Sequence, residues 1–185
     1  MKRALYYFVV TMFIVGYGSA LKAQVKLTGN IASAELVSAI TITNTAPMNF
    51  GVISIPQTEA TVLMNTSGTR TPTGATIVES GTQRTVAEFS LHGTPNDNYT
   101  ITLPTSISVF TAGGGGEGLI KEMVIDHLVV KVDASDEVAY TGPIHTPQLS
   151  AAGVSTFLLA GTLNIKSLQT LGVYSGTYQV TVDYF

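Results

Sequence analysis

A glycine-rich segment in the second half of the chain has the spacing of a nucleotide-binding loop. Gly113, Gly115 and Gly118 spell G-x-G-x-x-G directly after a strand-like run. In dinucleotide-binding folds, such glycines let the backbone approach a pyrophosphate at the N-terminus of a helix. Here the surrounding sequence shows no alternation of strands and helices, and four consecutive glycines produce the match almost automatically. We therefore predict that this segment is the tip of a β-hairpin.

Three histidines, His92, His127 and His145, are further candidates for acid–base or metal chemistry. No two of them have the short spacing that zinc sites use. Asp126 directly precedes His127, but neighbouring residues of a strand point to opposite faces, so the two side chains should not interact. We interpret each histidine as a hydrogen-bonded structural residue.

One acidic cluster, Asp133, Asp136 and Glu137, has part of the spacing of a calcium-binding loop. It lacks the glycine and the final glutamate of such a loop, so a solvated turn is the simpler interpretation beside a weak surface calcium site. The chain also has no cysteine and no G-x-S-x-G elbow, which removes thiol chemistry and that type of serine hydrolase. We predict that the protein is not an enzyme and has no catalytic, cofactor-binding or metal-binding residues.

The N-terminus has the composition of a secretion signal. Lys2 and Arg3 give a positive start, residues 4–15 form an apolar run with one threonine, and residues 16–23 are mostly small or polar. The apolar run is too short to span a bilayer comfortably. We expect a signal peptide over residues 1–23 and an exported protein, located in the periplasm, at the cell surface or outside the cell. Membrane contact is then expected only through the signal peptide, before cleavage.

Cleavage after Ala23 or after Ala20 fits the small residues of this region, and the first of these leaves 162 of the 185 residues. That length is enough for one domain with a hydrophobic core. The remaining chain would carry six basic and twelve acidic residues, a net charge of about −6, and its basic residues are scattered. Nucleic-acid binding, which needs clustered Lys and Arg, is therefore not expected.

Short segments rich in Thr, Val, Ile, Tyr and Phe follow one another between Gly, Pro, Asn and Ser residues. They predict an all-β fold, an immunoglobulin-like β-sandwich of about seven to nine antiparallel strands. The predicted strands are Leu36–Thr43, Met48–Ile55, Ala60–Asn65, Thr85–His92, Tyr99–Leu103, Ile107–Phe110, Met123–Val132, Thr156–Ile165 and Gly176–Tyr184. Residues 66–82 and 133–153 are predicted loops.

Two segments have sequence patterns that are distinct from those of the predicted strands and loops. The run Thr94–Asn98 has the chemistry of a turn and is predicted to join its flanking strands in a hairpin. Residues 119–128 fit both a helical stripe and the alternation of a strand. The β-branched residues in this segment and its all-β surroundings favour a strand.

Several sequence blocks follow one another in a distinctive order. They are Ala39–Thr43, Met48–Ile53, Gly68–Arg70, Ala87–Asn96, Tyr99–Pro104, Leu159–Leu163 and Gly172–Tyr184. Together they resemble the bacterial domain of unknown function 4402 (DUF4402) family over nearly all of residues 34–185. The resemblance implies an exported, immunoglobulin-like β-sandwich and supplies no catalytic residues. Residues 24–33 would precede this domain as an N-terminal extension or as its first strand.

The last block ends in an alternating strand, in which Tyr178, Val180, Val182 and Tyr184 share one face. This strand resembles those of spore-coat-protein-U-like and other chaperone–usher pilins. Such pilins typically have a penultimate tyrosine and a glycine fourteen residues from the end, here Tyr184 and Gly172. In that class the strand takes part in β-strand addition, in which side chains of the added strand fill a shared core. The absence of cysteine departs from many pilins, which carry one disulfide.

A second alternating segment precedes the family blocks. Val25, Leu27, Gly29 and Ile31 alternate with Lys, Thr and Asn residues. The pilin resemblance implies that this segment is a donor strand, which completes the sandwich of a neighbouring subunit. The alternative is that it forms the first strand of its own domain.

The leading hypothesis is a non-catalytic structural subunit of a surface fimbria, assembled by donor-strand exchange. Its expected partners are copies of itself or other surface β-sandwich subunits, and the resemblance adds a periplasmic chaperone. A second hypothesis is a self-contained secreted or cell-surface module that binds a glycan or a protein, with Tyr140 and Tyr174 as the candidate exposed aromatic residues. A third is a small outer-membrane β-barrel, which the short strands and few aromatic residues disfavour.

Overall fold

The computed structural model describes residues 38–54, 58–78, 84–113, 118–145 and 147–185. The predicted signal peptide and the predicted donor strand lie outside these residues. Every regular element in the described residues is a β-strand, so the all-β prediction is confirmed. In chain order the strands are β1 (Thr41–Ala46), β2 (Val52–Ser54), β3 (Ala60–Met64), β4 (Arg70–Thr73), β5 (Thr76–Val78), β6 (Ala87–His92), β7 (Tyr99–Thr102), β8 (Ile107–Phe110), β9 (Glu122–Val132), β10 (Val138–Ala139), β11 (Val154–Ile165) and β12 (Thr181–Tyr184).

The longest strand, β11, is the centre of the main sheet. Phe157, Leu159 and Leu163 of this strand are buried, with the spacing of two that a strand with one inward face requires. β9 pairs along one edge of β11, whereas β6 and then β3 pair along the other edge. β1 pairs with β6, β4 with β3, and both β8 and β10 with β9. All of these pairings are antiparallel.

Two shorter pairs complete the described fold. β12 pairs with β7, and β2 pairs with β5, again antiparallel. The segment that leads into β12 packs on the main sheet, because the Tyr178 ring meets the Phe89 ring edge-on with centroids 6.5 Å apart. Antiparallel strands in two layers around a shared core agree with the predicted β-sandwich.

The core contains an aromatic stack and one buried polar chain. The rings of Phe89 and Phe157 stack with centroids 4.7 Å apart. The hydroxyl of Tyr99, a fully buried residue, lies 2.5 Å from Oγ of Ser155, and that Oγ donates a hydrogen bond of 2.6 Å to Asp133. Buried hydroxyls need partners, and these hydrogen bonds tie β7 to β11 across the core.

The two predicted loops contain strands that the sequence did not indicate. β4 and β5 lie within residues 66–82, and β10 lies within residues 133–153. β4 contains Pro72, which pairs with Val62 of β3 at the edge of the described sheet. Proline is tolerated at an edge because its missing N–H faces away from the partner strand. Pairing with β3, rather than composition, makes this segment a strand.

The predicted hairpin at Thr94–Asn98 is wrong. The turn is present, with Asn96 at φ 61°, but β6 lies in the main sheet while β7 pairs with β12. The segment therefore carries the chain from one layer to the other. The strand interpretation of residues 119–128 is confirmed, since β9 begins at Glu122.

Three predicted strands differ from the structure by more than two residues at one end or both. The predicted strand at 36–43 is β1, which begins at Thr41 and continues to Ala46. The predicted strand at 48–55 is reduced to β2, Val52–Ser54. The C-terminal prediction, 176–184, is paired as a strand only over Thr181–Tyr184. In the C-terminal case, residues 176–180 pair with no described strand, although Tyr178 and Val180 continue the alternation.

The buried tyrosines predict a loss of stability at alkaline pH. Burial raises the pKa of the Tyr99 hydroxyl, the hydrogen bond with Ser155 lowers it in part, and the Asp133 charge raises it again; burial also raises the pKa of Tyr178. Above pH about 10 an unfolded tyrosine releases its proton while the folded one keeps it. The free energy of unfolding should therefore fall as the pH rises, by up to about 1.4 kcal/mol per pH unit for each such group.

Urea denaturation between pH 8 and pH 11 measures this effect. Tyr99→Phe removes one titrating group, so we expect its stability to fall less steeply above pH 10 than that of the wild type. At pH 8 the variant should be less stable by about 1 kcal/mol, because the hydrogen bond to Ser155 is lost. Equal slopes for the two proteins would contradict the assignment of the alkaline loss to Tyr99.

Candidate functional site: an apolar cleft beside the C-terminal segment

The C-terminal segment is only partly incorporated into the sheets. From Tyr178 to Tyr184 its exposure alternates residue by residue, with the predicted set Tyr178, Val180, Val182 and Tyr184 half-buried and packed against the core. β12 pairs with β7 over four residues. Within the described chain, residues 176–180 pair with no strand. The segment is thus extended and faces the core, and among the described residues its backbone is paired only at Ser175 and over Thr181–Tyr184.

The two ends of this segment are held differently. At one end, the backbone N–H of Thr94 donates a hydrogen bond of 2.6 Å to the hydroxyl of Tyr184, which fixes the penultimate residue to the turn between the layers. At the other end, Ser175 exchanges two backbone hydrogen bonds with Phe110 of β8, at 2.8 and 3.0 Å. Between these points the backbone of residues 176–180 pairs with no strand of the described residues.

Two glycines let the segment lie directly against β8 and the residue that follows it. A Cβ at Gly176 would overlap the carbonyl oxygen of Ser108, and a Cβ at Gly172 would come within 2.5 Å of Oγ1 of Thr111. Gly172 also has φ 152°, a conformation that favours glycine. The glycine that the pilin resemblance singled out therefore has a local role, which is close backbone approach.

An apolar cleft of about 670 Å³ opens beside this segment. Residues 47–54 line one side of the cleft, and residues 169–176 together with Tyr178 line the other. Six aliphatic side chains from three neighbouring strands form its floor. They are Ile107 and Val109 of β8, Met123 and Ile125 of β9, and Leu163 and Ile165 of β11.

The floor of the cleft is continuous with the core of the domain. Ile107, Ile125 and Leu163 are opposite one another across three paired strands, and each is buried. Val109 and Met123 form the next pair and are partly open. The cleft therefore borders an ordinary β-sandwich core, from which Val109 and Met123 are partly exposed, and it contains no charged side chain among its described lining residues.

Side-chain hydrogen bonds attach the wall that precedes the C-terminal segment to the start of β9. Gln169 is buried, and its Nε2 donates hydrogen bonds to the carbonyl oxygens of Ile120 and Glu122, at 3.1 and 3.0 Å. The hydroxyl of Tyr174 donates to the carbonyl oxygen of Thr170 at 2.7 Å. These bonds fix the wall to the start of β9, so the opening of the cleft is built into the fold.

The predicted site residues fall into two groups. Gly172 and Tyr178 line the cleft, while Val180, Val182 and Tyr184 continue along the same segment and pack on the core. The predicted donor strand, with Val25, Leu27, Gly29 and Ile31, lies outside the described residues. The sequence did not indicate the cleft, because its floor and walls come from segments that are far apart in the chain.

The prediction that Asp126 and His127 point to opposite faces is wrong. Between the pairs Ala160↔Val129 and Thr162↔Asp126 the register shifts, so β9 has one extra residue there. His127 takes φ 44° at this β-bulge, and its Nδ1 lies 2.7 Å from Oδ1 of Asp126. The bulge interrupts the alternation on which the prediction was based.

This acid–imidazole pair is a surface feature. Partial burial raises the pKa of Asp126, but hydrogen bonds from His127 and Asn164 and the charge of His127 outweigh burial and lower the pKa below its usual value. The His127 side chain is 82% exposed. The pair therefore lies at the bulge, on an exposed part of the surface.

The other predicted chemical residues do not converge. Asp133 accepts hydrogen bonds from Ser155 and Thr156 of β11, while Glu137 accepts one from the backbone of Thr66. In the described part of the chain no three His, Cys, Asp or Glu side chains gather in a way that could hold a metal ion. The acidic residues that follow β9 therefore act in local structure.

The glycine-rich segment joins β8 to its antiparallel partner β9, so the hairpin interpretation is confirmed. A dinucleotide site requires a strand followed by a helix, and neither described flank of this segment is helical. Among the described residues there is also no helix long and apolar enough to cross a membrane.

Both tyrosines expected to be exposed are half-buried with satisfied hydroxyl groups. The Tyr140 hydroxyl donates to the carbonyl oxygen of Leu103 and accepts from its N–H, and the Tyr174 hydroxyl is bound within the wall of the cleft. The prediction that these two residues are exposed aromatic platforms is wrong, because each closes a gap between two segments.

The fold and the cleft describe an antiparallel β-sandwich domain with an opening at one side of its core. Residues 40–184 match the family model described as "Domain of unknown function (DUF4402)", and the chain belongs to this family. No curated protein and no solved structure is significantly similar to it. The predicted family is thus confirmed, and the likeness to chaperone–usher pilins remains a prediction.

A methyl group at Gly176 tests how the wall of the cleft is held. Gly176→Ala places Cβ against the carbonyl oxygen of Ser108, so the segment must move away from β8. We expect a loss of about 1 to 3 kcal/mol in the free energy of unfolding and faster hydrogen exchange at the amides of Phe110 and Ser175. Ser175→Ala, at an exposed neighbouring position, is the control and should change stability by less than about 0.5 kcal/mol. If the amides of Phe110 and Ser175 exchange at the wild-type rate in Gly176→Ala, the close packing of Gly176 against β8 is contradicted.

Proposed function

We propose that this protein is an exported, non-catalytic structural subunit that joins other subunits at the cell surface by β-strand addition. The observation that carries the proposal is the apolar cleft, which has core residues as its floor and borders, at Gly176 and Tyr178, an extended segment whose residues 176–180 pair with no described strand. In this proposal the cleft accepts the donor segment, Val25–Ile31, of another copy. The family match supports the assignment of residues 40–184 to this domain family. The mode of assembly is our inference from the cleft.

The backbone of residues 176–180, which pairs with no described strand, favours a strand as the occupant. Peptide groups at a sheet edge pair readily with an added strand, whose main-chain hydrogen bonds supply affinity. A small molecule of ordinary shape would leave this row of donors and acceptors without partners. A strand satisfies them and, at about 3.3 Å per residue, seven residues cover roughly 20 Å of the edge.

The floor of the cleft favours an alternating apolar sequence. An added strand presents every second side chain to the floor, and Val25, Leu27 and Ile31 have that spacing, with Gly29 between them. Full burial of each aliphatic side chain contributes about 1.5 to 3 kcal/mol. The intervening polar residues of the segment would remain on the outer face, as in a strand with one buried side.

A self-contained binding module receives less support. Its candidate aromatic residues, Tyr140 and Tyr174, use their hydroxyl groups inside the domain. The apolar cleft borders backbone that pairs with no described strand, which suits a peptide strand better than a glycan. The experiment below distinguishes the two functions.

Leu27→Glu should abolish polymers without unfolding the domain, because a carboxylate would have to enter the apolar cleft. The measurement is a denaturing gel of the protein recovered from its native cell surface, run before and after boiling. We expect the wild type to give a ladder of multiples that collapses only on boiling, and Leu27→Glu to give monomer in both lanes. Removal of residues 24–32 should have the same effect.

Thr28→Glu is the matched control, since position 28 alternates with Leu27 and faces away from the floor in this arrangement. It should retain the ladder. Thermal unfolding of both variants checks that the domain remains folded. A wild-type protein that runs as a single monomer band in both lanes would contradict the proposal and favour a self-contained secreted module. A ladder that Leu27→Glu leaves unchanged would exclude this donor segment.

A further inference from the structure

Large apolar side chains are exposed together at one end of the domain. Leu168, Leu171 and Val173 are 64%, 75% and 87% exposed, and Phe110 and Leu119 are also exposed. Backbone hydrogen bonds bring their segments together, from Ile120 N to Leu168 O at 2.9 Å and between Phe110 and Ser175. We call the five residues Phe110, Leu119, Leu168, Leu171 and Val173 the apolar end.

The apolar end is a built surface and not a frayed loop. Thr170, between two of the exposed leucines, is buried, and its N–H donates to the carbonyl oxygen of Ile120 at 2.8 Å. Leu168 has φ 63°, a left-handed conformation that costs a residue with a Cβ about 1 to 2 kcal/mol. In an isolated domain, Leu168 therefore carries two costs: a left-handed backbone and an apolar side chain exposed to solvent. A surface that covers the side chain removes the cost of its exposure.

The apolar end adjoins the cleft, because Leu171 and Val173 also line it. Any strand that enters the cleft therefore passes beside this surface. In the donor copy, only residues 32–37 separate the donor strand from Ser38, the first described residue. Seven peptide steps span at most about 25 Å, so the domain that supplies the strand must itself lie against the accepting domain.

The surface of the donor subunit's domain that lies next to the inserted segment can be identified from Ser38. The N–H of Ser38 donates to Oγ1 of Thr94 at 3.0 Å, and Thr94 follows β6, whose last residue, His92, pairs with Val154 at the start of β11. The apolar end lies beyond the other end of β11, about 35 to 40 Å away along this strand. We call the surface formed by Ser38, Thr94, Val154 and Phe185 the Thr94 end; its Val154 and Phe185 side chains are exposed.

We propose that the apolar end of one subunit docks on the Thr94 end of the next, as a second contact beside the inserted strand. The inference rests on the proposed function and adds the surface and the direction of assembly. The two contacting surfaces are different and lie at opposite ends of one domain. Repeated contacts of this heterologous kind produce an open, linear, head-to-tail polymer rather than a closed ring or a symmetric dimer.

Leu168→Asp tests the docking surface without changing the lining of the cleft. Leu168 does not line the cleft, and Asp tolerates a left-handed conformation better than Leu, so the variant should fold. Leu63→Asp is the matched control, since Leu63 is an exposed leucine on β3, opposite Thr162 of β11, and belongs to neither the apolar end nor the Thr94 end. Two quantities are measured on the mature chain, residues 24–185: uptake of a fluorescent peptide of residues 24–33, and polymer length by sedimentation and electron microscopy.

We expect Leu168→Asp to take up the peptide within about twofold of the wild type but to weaken polymer association about tenfold, as loss of one central apolar contact would. Leu63→Asp should match the wild type in both measurements. Wild-type polymers from Leu168→Asp, or equal losses from both variants, would overturn the docking contact while leaving strand addition intact. A wild-type protein that neither takes up the peptide nor polymerises would reject the proposed function, and the docking contact with it.

Discussion

The register of β11 is the constraint on which the rest of this domain depends. One twelve-residue strand pairs with β9 on one edge and with both β6 and β3 on the other. A slip of one residue would turn Phe157, Leu159 and Leu163 towards solvent and would break every one of these ladders together. The hydrogen bond between Ser155 and Tyr99 transmits the same register to the opposite layer. A single strand thereby positions both layers and, through Leu163 and Ile165, the floor of the cleft.

The domain is closed at one end and open at the other, and its functional character follows from that asymmetry. At the closed end β12 is paired with β7, and the Tyr184 hydroxyl is fixed to the backbone of Thr94. Towards the open end the C-terminal segment pairs with no described strand, and core side chains of three strands form the floor of a cleft. The exposed apolar side chains at this end, Leu168, Leu171 and Val173, form the kind of surface that marks an interaction site more often than a stable free surface. The C-terminal segment is a structural strand at one end and, in the proposed assembly, an edge for a partner at the other.

The sequence predicted those features that depend on a residue and its immediate neighbours. The all-β class, the family and the alternation from Tyr178 to Tyr184 were all readable, because strand periodicity is local. β4 and β10 were missed since their composition is that of loops and only the partner strand makes them strands. The hairpin at Thr94–Asn98 was wrong for a related reason: a turn motif specifies a change of direction but not which strands pair. The bulge at His127 depends on the register between β9 and β11, which no single segment encodes. The cleft was missed because its lining is assembled from distant segments.

The path of the C-terminal segment also has a mechanical consequence. The segment runs the length of the domain, from Ser175 beside Phe110 to Tyr184 beside Thr94. In a head-to-tail polymer, tension acts between these two ends, and therefore along the axis of this segment. Force in that direction loads the hydrogen bonds between β12 and β7 side by side, so they resist together instead of opening one after another from a free end. A subunit joined in this way would resist a higher force than one whose strands lie perpendicular to the pull, because perpendicular strands separate one hydrogen bond at a time.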